Sequence, residues 1–97
     1  GMYSSNEPGF YREGVFGYRV ENLVLCTEAD TPQEFGQFLK FETVTLFPID
    51  TKLVDADLLT RDERKWLNAY HREVYARLST HLNADEKAWL RAKCERI

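Results

Sequence analysis

Two hydrophobic periodicities divide this chain. From Met2 to about Asp50, Phe, Tyr, Val, Leu and Thr dominate and Gly and Pro punctuate them, which is the chemistry of strands and turns. Phe16 to Thr27 reads as one long strand, with Gly17, Arg19 and Glu21 on one face and Phe16, Tyr18 and Val20 on the other. Met2 to Glu7 reads as its antiparallel partner and ends at Pro8-Gly9, where proline lacks the amide proton that a central ladder needs. The connection from Pro8 to Val15 is longer than a tight turn, so the register about Gly14 is open to a slip of one residue. A third strand is expected from Phe38 to Phe47, closed by Pro48, after a polar loop from Ala29 to Gln37.

The second half has helical spacing. Thr60 with Glu63 forms a capping box ahead of Leu67, Tyr70, Val74 and Leu78, a single apolar stripe with Trp66 at its edge. A helix is therefore expected from about Arg61 to Ser79, after a connector with a short helical turn near Asp55. Asn83 with Glu86 offers a second box before Trp89 and Leu90. The expected fold class is α+β: an antiparallel hairpin and a third strand, followed by two C-terminal amphipathic helices.

Composition narrows the function classes. A chain of 97 residues with 43% apolar and 30% charged residues suits one small globular domain. A net charge of −3 with no Lys/Arg cluster argues against a nucleic-acid partner. No apolar stretch approaches the ~20 residues of a membrane span, and no leader-like segment opens the chain, so a cytoplasmic location is expected. Cys26 and Cys94 lack the spacing of zinc or redox pairs and read as reduced thiols.

Few residues offer chemistry. His71 and His81, the only imidazoles, read as surface or interface residues, and no HExxH, CxxC, GxGxxG or phosphate loop occurs. Asp55, Asp57, Asp62 and Glu63 are explained by a helix start, where negative charge suits the macrodipole. That leaves Glu7 and Glu21, symmetric about Gly14, with Arg19 and Tyr11 nearby. Opposed like charges destabilise a sheet unless something compensates them. Two readings remain at this point: a solvent-facing hairpin with screened charges, or carboxylates gathered for a divalent cation. Adjacent-strand carboxylates suit a two-metal hydrolytic centre, yet two are too few to complete one.

The segments Ser5-Asn6-Glu7-Pro8-Gly9-Phe10-Tyr11 and Phe16-Gly17-Tyr18-Arg19-Val20-Glu21-Asn22 resemble the last two metal-binding motifs of the Xaa-Pro aminopeptidases (aminopeptidase P). These are creatinase-like "pita-bread" metallopeptidases of family M24. Phe41-Glu42-Thr43-Val44-Thr45-Leu46-Phe47-Pro48-Ile49-Asp50 and Trp66-Leu67-Asn68-Ala69-Tyr70-His71 resemble the extra C-terminal segment of its three-domain members. The resemblance spans nearly the whole chain, and the last two segments favour the aminopeptidase branch over creatinase or prolidase.

The resemblance implies that residues 1–30 end a catalytic pita-bread sheet and that residues 31–97 form the C-terminal subdomain. It implies that Glu7 is a ligand of one metal and assists proton transfer, and that Glu21 bridges both metals. Arg19 and Tyr11 match positions that stand behind the ligands and order the reacting groups. The complete enzyme would hold two divalent ions, Mn or Zn, and remove an N-terminal residue that precedes proline. The family's two aspartates and its histidine ligand lie upstream of the Glu7 motif and are absent here. The isolated chain is therefore expected to be inactive, to bind metal weakly and to need the missing upstream segment as its partner. Self-association is also expected, because missing strands leave an open edge. The alternative is a non-catalytic dimerisation or interaction fragment from a truncated gene.

Overall fold

The computed structural model describes the backbone of residues 1–97 and every side chain except that of Gln33. The chain divides into two compact units, Gly1–Thr45 and Leu46–Ile97. The first is built of strands and the second chiefly of helices, so the α+β class holds.

In the first unit the expected hairpin forms, but each arm is broken once. β1 (Tyr3–Asn6) pairs antiparallel with β4 (Asn22–Glu28), and β2 (Gly9–Arg12) pairs with β3 (Phe16–Arg19). The segment read as a long connection thus holds a further strand, β2, and the stretch read as one strand from Phe16 to Thr27 is divided between β3 and β4. The break falls where Pro8 removes a donor from the ladder. One bond still crosses there, from the Val20 amide to the Pro8 carbonyl at 3.1 Å. At the tip, the Val15 amide donates to the Arg12 carbonyl at 3.0 Å and Gly14 takes φ +69°, a left-handed turn position that favours glycine.

The register survives the break. Asn6 faces Asn22 on one side of it and Gly9 faces Arg19 on the other, which sets Glu7 across from Glu21 as expected, without the slip that the connection left open. β5 (Leu39–Thr43) completes a three-stranded sheet of order β1-β4-β5. It is shorter than the expected Phe38–Phe47 strand, because at Thr45 a side chain replaces the backbone: its Oγ1 accepts from the Leu23 amide at 2.8 Å. Only Val24 among the large apolar residues of this unit is buried.

The second unit closes around α1 (Arg61–Leu78) and α2 (Ala84–Lys93). Both capping boxes are present: Thr60 and Glu63 exchange side-chain to backbone bonds, as do Asn83 and Glu86. The connector holds two 3-10 turns, Thr51–Leu53 and Ala56–Leu58, each capped by the aspartate before it. Tyr70, Val74 and Leu90 form the buried centre, with Leu46, Ile49, Tyr75, Leu78, Leu82 and Cys94 packed around them. Burial raises the Cys94 thiol pKa, and both cysteines are free.

His71, expected at the surface or an interface, is instead a core residue and is 0% exposed. Its Nε2 accepts from the Ile49 amide at 3.0 Å. This bond requires a neutral ring with its proton on Nδ1, and Nδ1 has no partner among the described residues. Burial lowers the imidazole pKa, because a charged ring would lose its hydration. Next to it, the Tyr70 hydroxyl donates to the Phe47 carbonyl at 3.0 Å. Successive α1 side chains thereby hold the Phe47–Ile49 segment by its backbone.

Candidate functional site

Strand alternation sorts the first hairpin into two faces. Tyr11 faces Gly17 and Gly9 faces Arg19, so these four share the side on which Glu7 and Glu21 lie. The other face carries Phe10, whose ring centroid is 5.9 Å from Phe16 and 6.0 Å from Tyr18. All three of those aromatics are about half exposed.

On the polar face Arg19 lies between the carboxylates. Its Nη1 is 3.6 Å from Glu7 Oε2 and its Nε is 3.4 Å from Glu21 Oε2. Ser5 Oγ donates to Glu7 Oε1 at 3.3 Å, a contact the sequence reading did not anticipate although the two residues share a strand face. All three charged side chains remain roughly half exposed, so each ion pair contributes no more than ~1 kcal/mol to stability.

Tyr11 reaches toward this cluster over bare backbone. A Cβ placed on Gly17 would lie 2.7 Å from Tyr11 Cδ1, and one placed on Gly9 would lie 2.7 Å from the Tyr11 hydroxyl oxygen. Side chains at either position would lift the ring. The two glycines therefore let the phenol lie along the hairpin, its hydroxyl over the residue that faces Arg19.

The structure thus brings Glu7, Arg19 and Glu21 into contact and sets Tyr11 on the same face. His71 lies in the core of the Leu46–Ile97 unit, and His81 is exposed just after α1. Hard carboxylate oxygens suit a divalent cation, and Glu7 and Glu21 are placed to offer them to one. Among the described residues no three His, Cys, Asp or Glu side chains gather in one place, so the pair fits part of a metal centre and leaves its other ligands to come from elsewhere.

Comparison with known proteins shows what the chain is similar to. The family model for the C-terminal region of peptidase M24 matches residues 37–97. A probable Xaa-Pro aminopeptidase P of Coprinopsis cinerea is 50% identical over 95 residues, covering 94% of this chain and 15% of that protein. An uncharacterized peptidase of Schizosaccharomyces pombe is 50% identical over 92 residues, covering 93% of this chain and 15% of its own length. Among solved structures, an X-prolyl aminopeptidase of Caenorhabditis elegans, described as a cytosolic enzyme with a di-nuclear active site, matches with a TM-score of 0.88 and 38% identity. That match covers 99% of this chain and 16% of the larger one. The chain spans about 15% of the length of the curated relatives named here. It belongs to the M24 peptidase family, and what it holds is the C-terminal portion of an Xaa-Pro aminopeptidase-like protein.

Proposed function

We propose that this chain supplies the last two metal-facing carboxylates of a dinuclear aminopeptidase that cleaves the bond between an N-terminal residue and proline. The observation that carries this reading is the unbroken register that sets Glu7 across from Glu21 with Arg19 between them. The di-nuclear active site described for the Caenorhabditis elegans relative supports it. Glu7 would bind one ion and Glu21 would bridge two, Mn or Zn, with the remaining ligands from an upstream segment. The bound ions would supply an activated water and a polarised carbonyl. Arg19 holds the Oε2 atoms of both glutamates and so fixes their orientation, while Tyr11 lays its hydroxyl along the same face for contact with the reacting groups. Residues 1–30 are assigned to the end of the catalytic domain and residues 31–97 to a C-terminal subdomain. The location is cytoplasmic.

A segment exchange tests this. This chain, put in place of the matching region of the Caenorhabditis elegans enzyme, is expected to support hydrolysis of a peptide with proline in second position. Glu21→Gln in that chimera is expected to remove metal and turnover together, and unchanged turnover would sink the assignment. The 97-residue chain alone is expected to be inactive toward the same peptide.

A second reading, an association module, draws on the half-exposed Phe10, Phe16 and Tyr18. Sedimentation of the isolated chain tests it, a concentration-dependent dimer being the expected result.

A further inference from the structure

Glu7 and Glu21 present two formal negative charges at directly opposed positions, and the structure already provides part of their compensation. Among the described residues, the cation that pairs with both is Arg19, at 3.6 Å from one and 3.4 Å from the other. Its two contacts use different nitrogens of a single guanidinium, Nη1 toward Glu7 and Nε toward Glu21, so the planar group spans the gap between the carboxylates. Both contacts take Oε2, and Glu7 Oε1 accepts from Ser5. Three of the four carboxylate oxygens therefore already have a partner within the hairpin.

We infer that Arg19 is a resident counter-cation that occupies the electrostatic place of a metal ion in this chain and opposes metal loading until further ligands outweigh it. This rests on the reading of Glu7 and Glu21 as metal-facing residues and adds to it a reason why the pair binds metal weakly alone. A divalent ion entering between the glutamates meets the Arg19 charge within a few ångströms and must share or displace its oxygens. At such a distance the repulsion is substantial even in water, and salt screens it. The guanidinium also keeps the hairpin in register without metal, since opposed like charges would otherwise push the strands apart.

The test is a Mn2+ titration of the 97-residue chain, followed by the electron-spin signal of free ion, for the wild type, Arg19→Gln, Arg19→Lys and Arg19→Gln/Glu21→Gln. Arg19→Gln is expected to bind about 5- to 20-fold more tightly than wild type, with the gap narrowing as salt is raised. Arg19→Lys keeps the charge and is expected to stay near wild type, and the double variant is expected to lose the gain. Without metal, Arg19→Gln is expected to weaken the cross-strand amide protection of β2 and β3. Equal or weaker binding by Arg19→Gln overturns the role of Arg19 while leaving the metal-facing reading intact. Absence of binding by every variant also overturns the role of Arg19, whereas the metal-facing reading, which takes its other ligands from upstream, falls only if Glu21→Gln leaves turnover of the chimera unchanged. Should Arg19→Gln lose the hairpin altogether, the wild-type Arg19 Nε–H resonance decides: it is expected to shift on adding Zn2+, and an unmoved resonance in a chain that binds Zn2+ overturns the proposal.

Discussion

The two units of this chain bury their apolar residues to different extents, although Phe47, Leu53, Leu58, Trp66 and Trp89 of the second are each more than half exposed. In Leu46–Ile97, Leu67, Tyr70, Val74 and Leu90 are all buried, and the polar residues that enter with them, Asn68 and His71, spend hydrogen bonds on backbone groups. In Gly1–Thr45, Phe10, Phe16, Tyr18, Val20, Phe38 and Phe41 are each at least 44% exposed, and among the described residues Val24 is the one large apolar side chain fully buried, with Leu25, Cys26 and Val44 half-buried. Fully burying one large apolar side chain contributes ~1.5–3 kcal/mol, so the helical unit carries its own stability and the stranded unit carries little. What the stranded unit carries instead is the carboxylate pair. The difference teaches that the proposed metal-facing carboxylates sit on the element least able to hold itself together, as expected if that hairpin is completed by protein outside these residues.

The comparison breaks most sharply at Leu90. Leu90→Ala is expected to cost the helical unit ~2–5 kcal/mol, read from urea unfolding followed by helical circular dichroism. A cost under about 1 kcal/mol would show that the core of this unit is not the closed body it looks.

His71 comes next. His71→Leu is expected to cost ~1–3 kcal/mol, since it leaves the Ile49 amide without an acceptor. The same residue gives a pH signature. Its folded pKa lies below the unfolded value of about 6.5, so the unfolded chain takes up the proton first as pH falls. Stability is therefore expected to be full at neutral pH and to decline as pH drops from about 6.5 toward the folded pKa. Urea midpoints measured at intervals between neutrality and mild acid check this, and the decline in that window should be shallower in His71→Leu.

Thr60→Ala is expected to cost about 1 kcal/mol through loss of the α1 cap. The smallest effect belongs to the other unit. Phe10→Ser is expected to change the isolated chain's stability by no more than about 0.5 kcal/mol, because its ring is half in solvent already. A larger loss would mean that the hairpin aromatics carry structure by themselves, and the contrast between the units would weaken.

The sequence was most legible where local chemistry decides the outcome. Thr60 with Glu63 and Asn83 with Glu86 marked both helix starts, since a cap is a contact between residues three apart. Gly14 as the centre of the hairpin was readable for the same reason. Strand limits were harder. The interruption at residues 20–21 is imposed from the opposite arm by Pro8, and a long-range partner leaves no mark on its own stretch of sequence. β5 stopped early for a similar reason, its continuation being taken over by the Thr45 hydroxyl.

In the site, the grouping of Glu7, Arg19 and Glu21 followed from alternation and symmetry, whereas the flat Tyr11 ring depends on the absence of side chains at Gly9 and Gly17. His71 was misplaced because an imidazole reads as a polar surface group. Its spacing carried the correct signal: it stands four residues after Leu67 and three before Val74, squarely on the buried stripe.

The mirrored arms of the hairpin restrict how this segment can change in length. Deleting one residue between Glu7 and Glu21 moves one carboxylate to the aromatic side and separates the pair. Deleting one residue from each arm leaves them opposed. Viable insertions and deletions between these two positions must therefore come as matched pairs, one on either side of Gly14, and the thirteen intervening residues behave as a ruler folded at its midpoint.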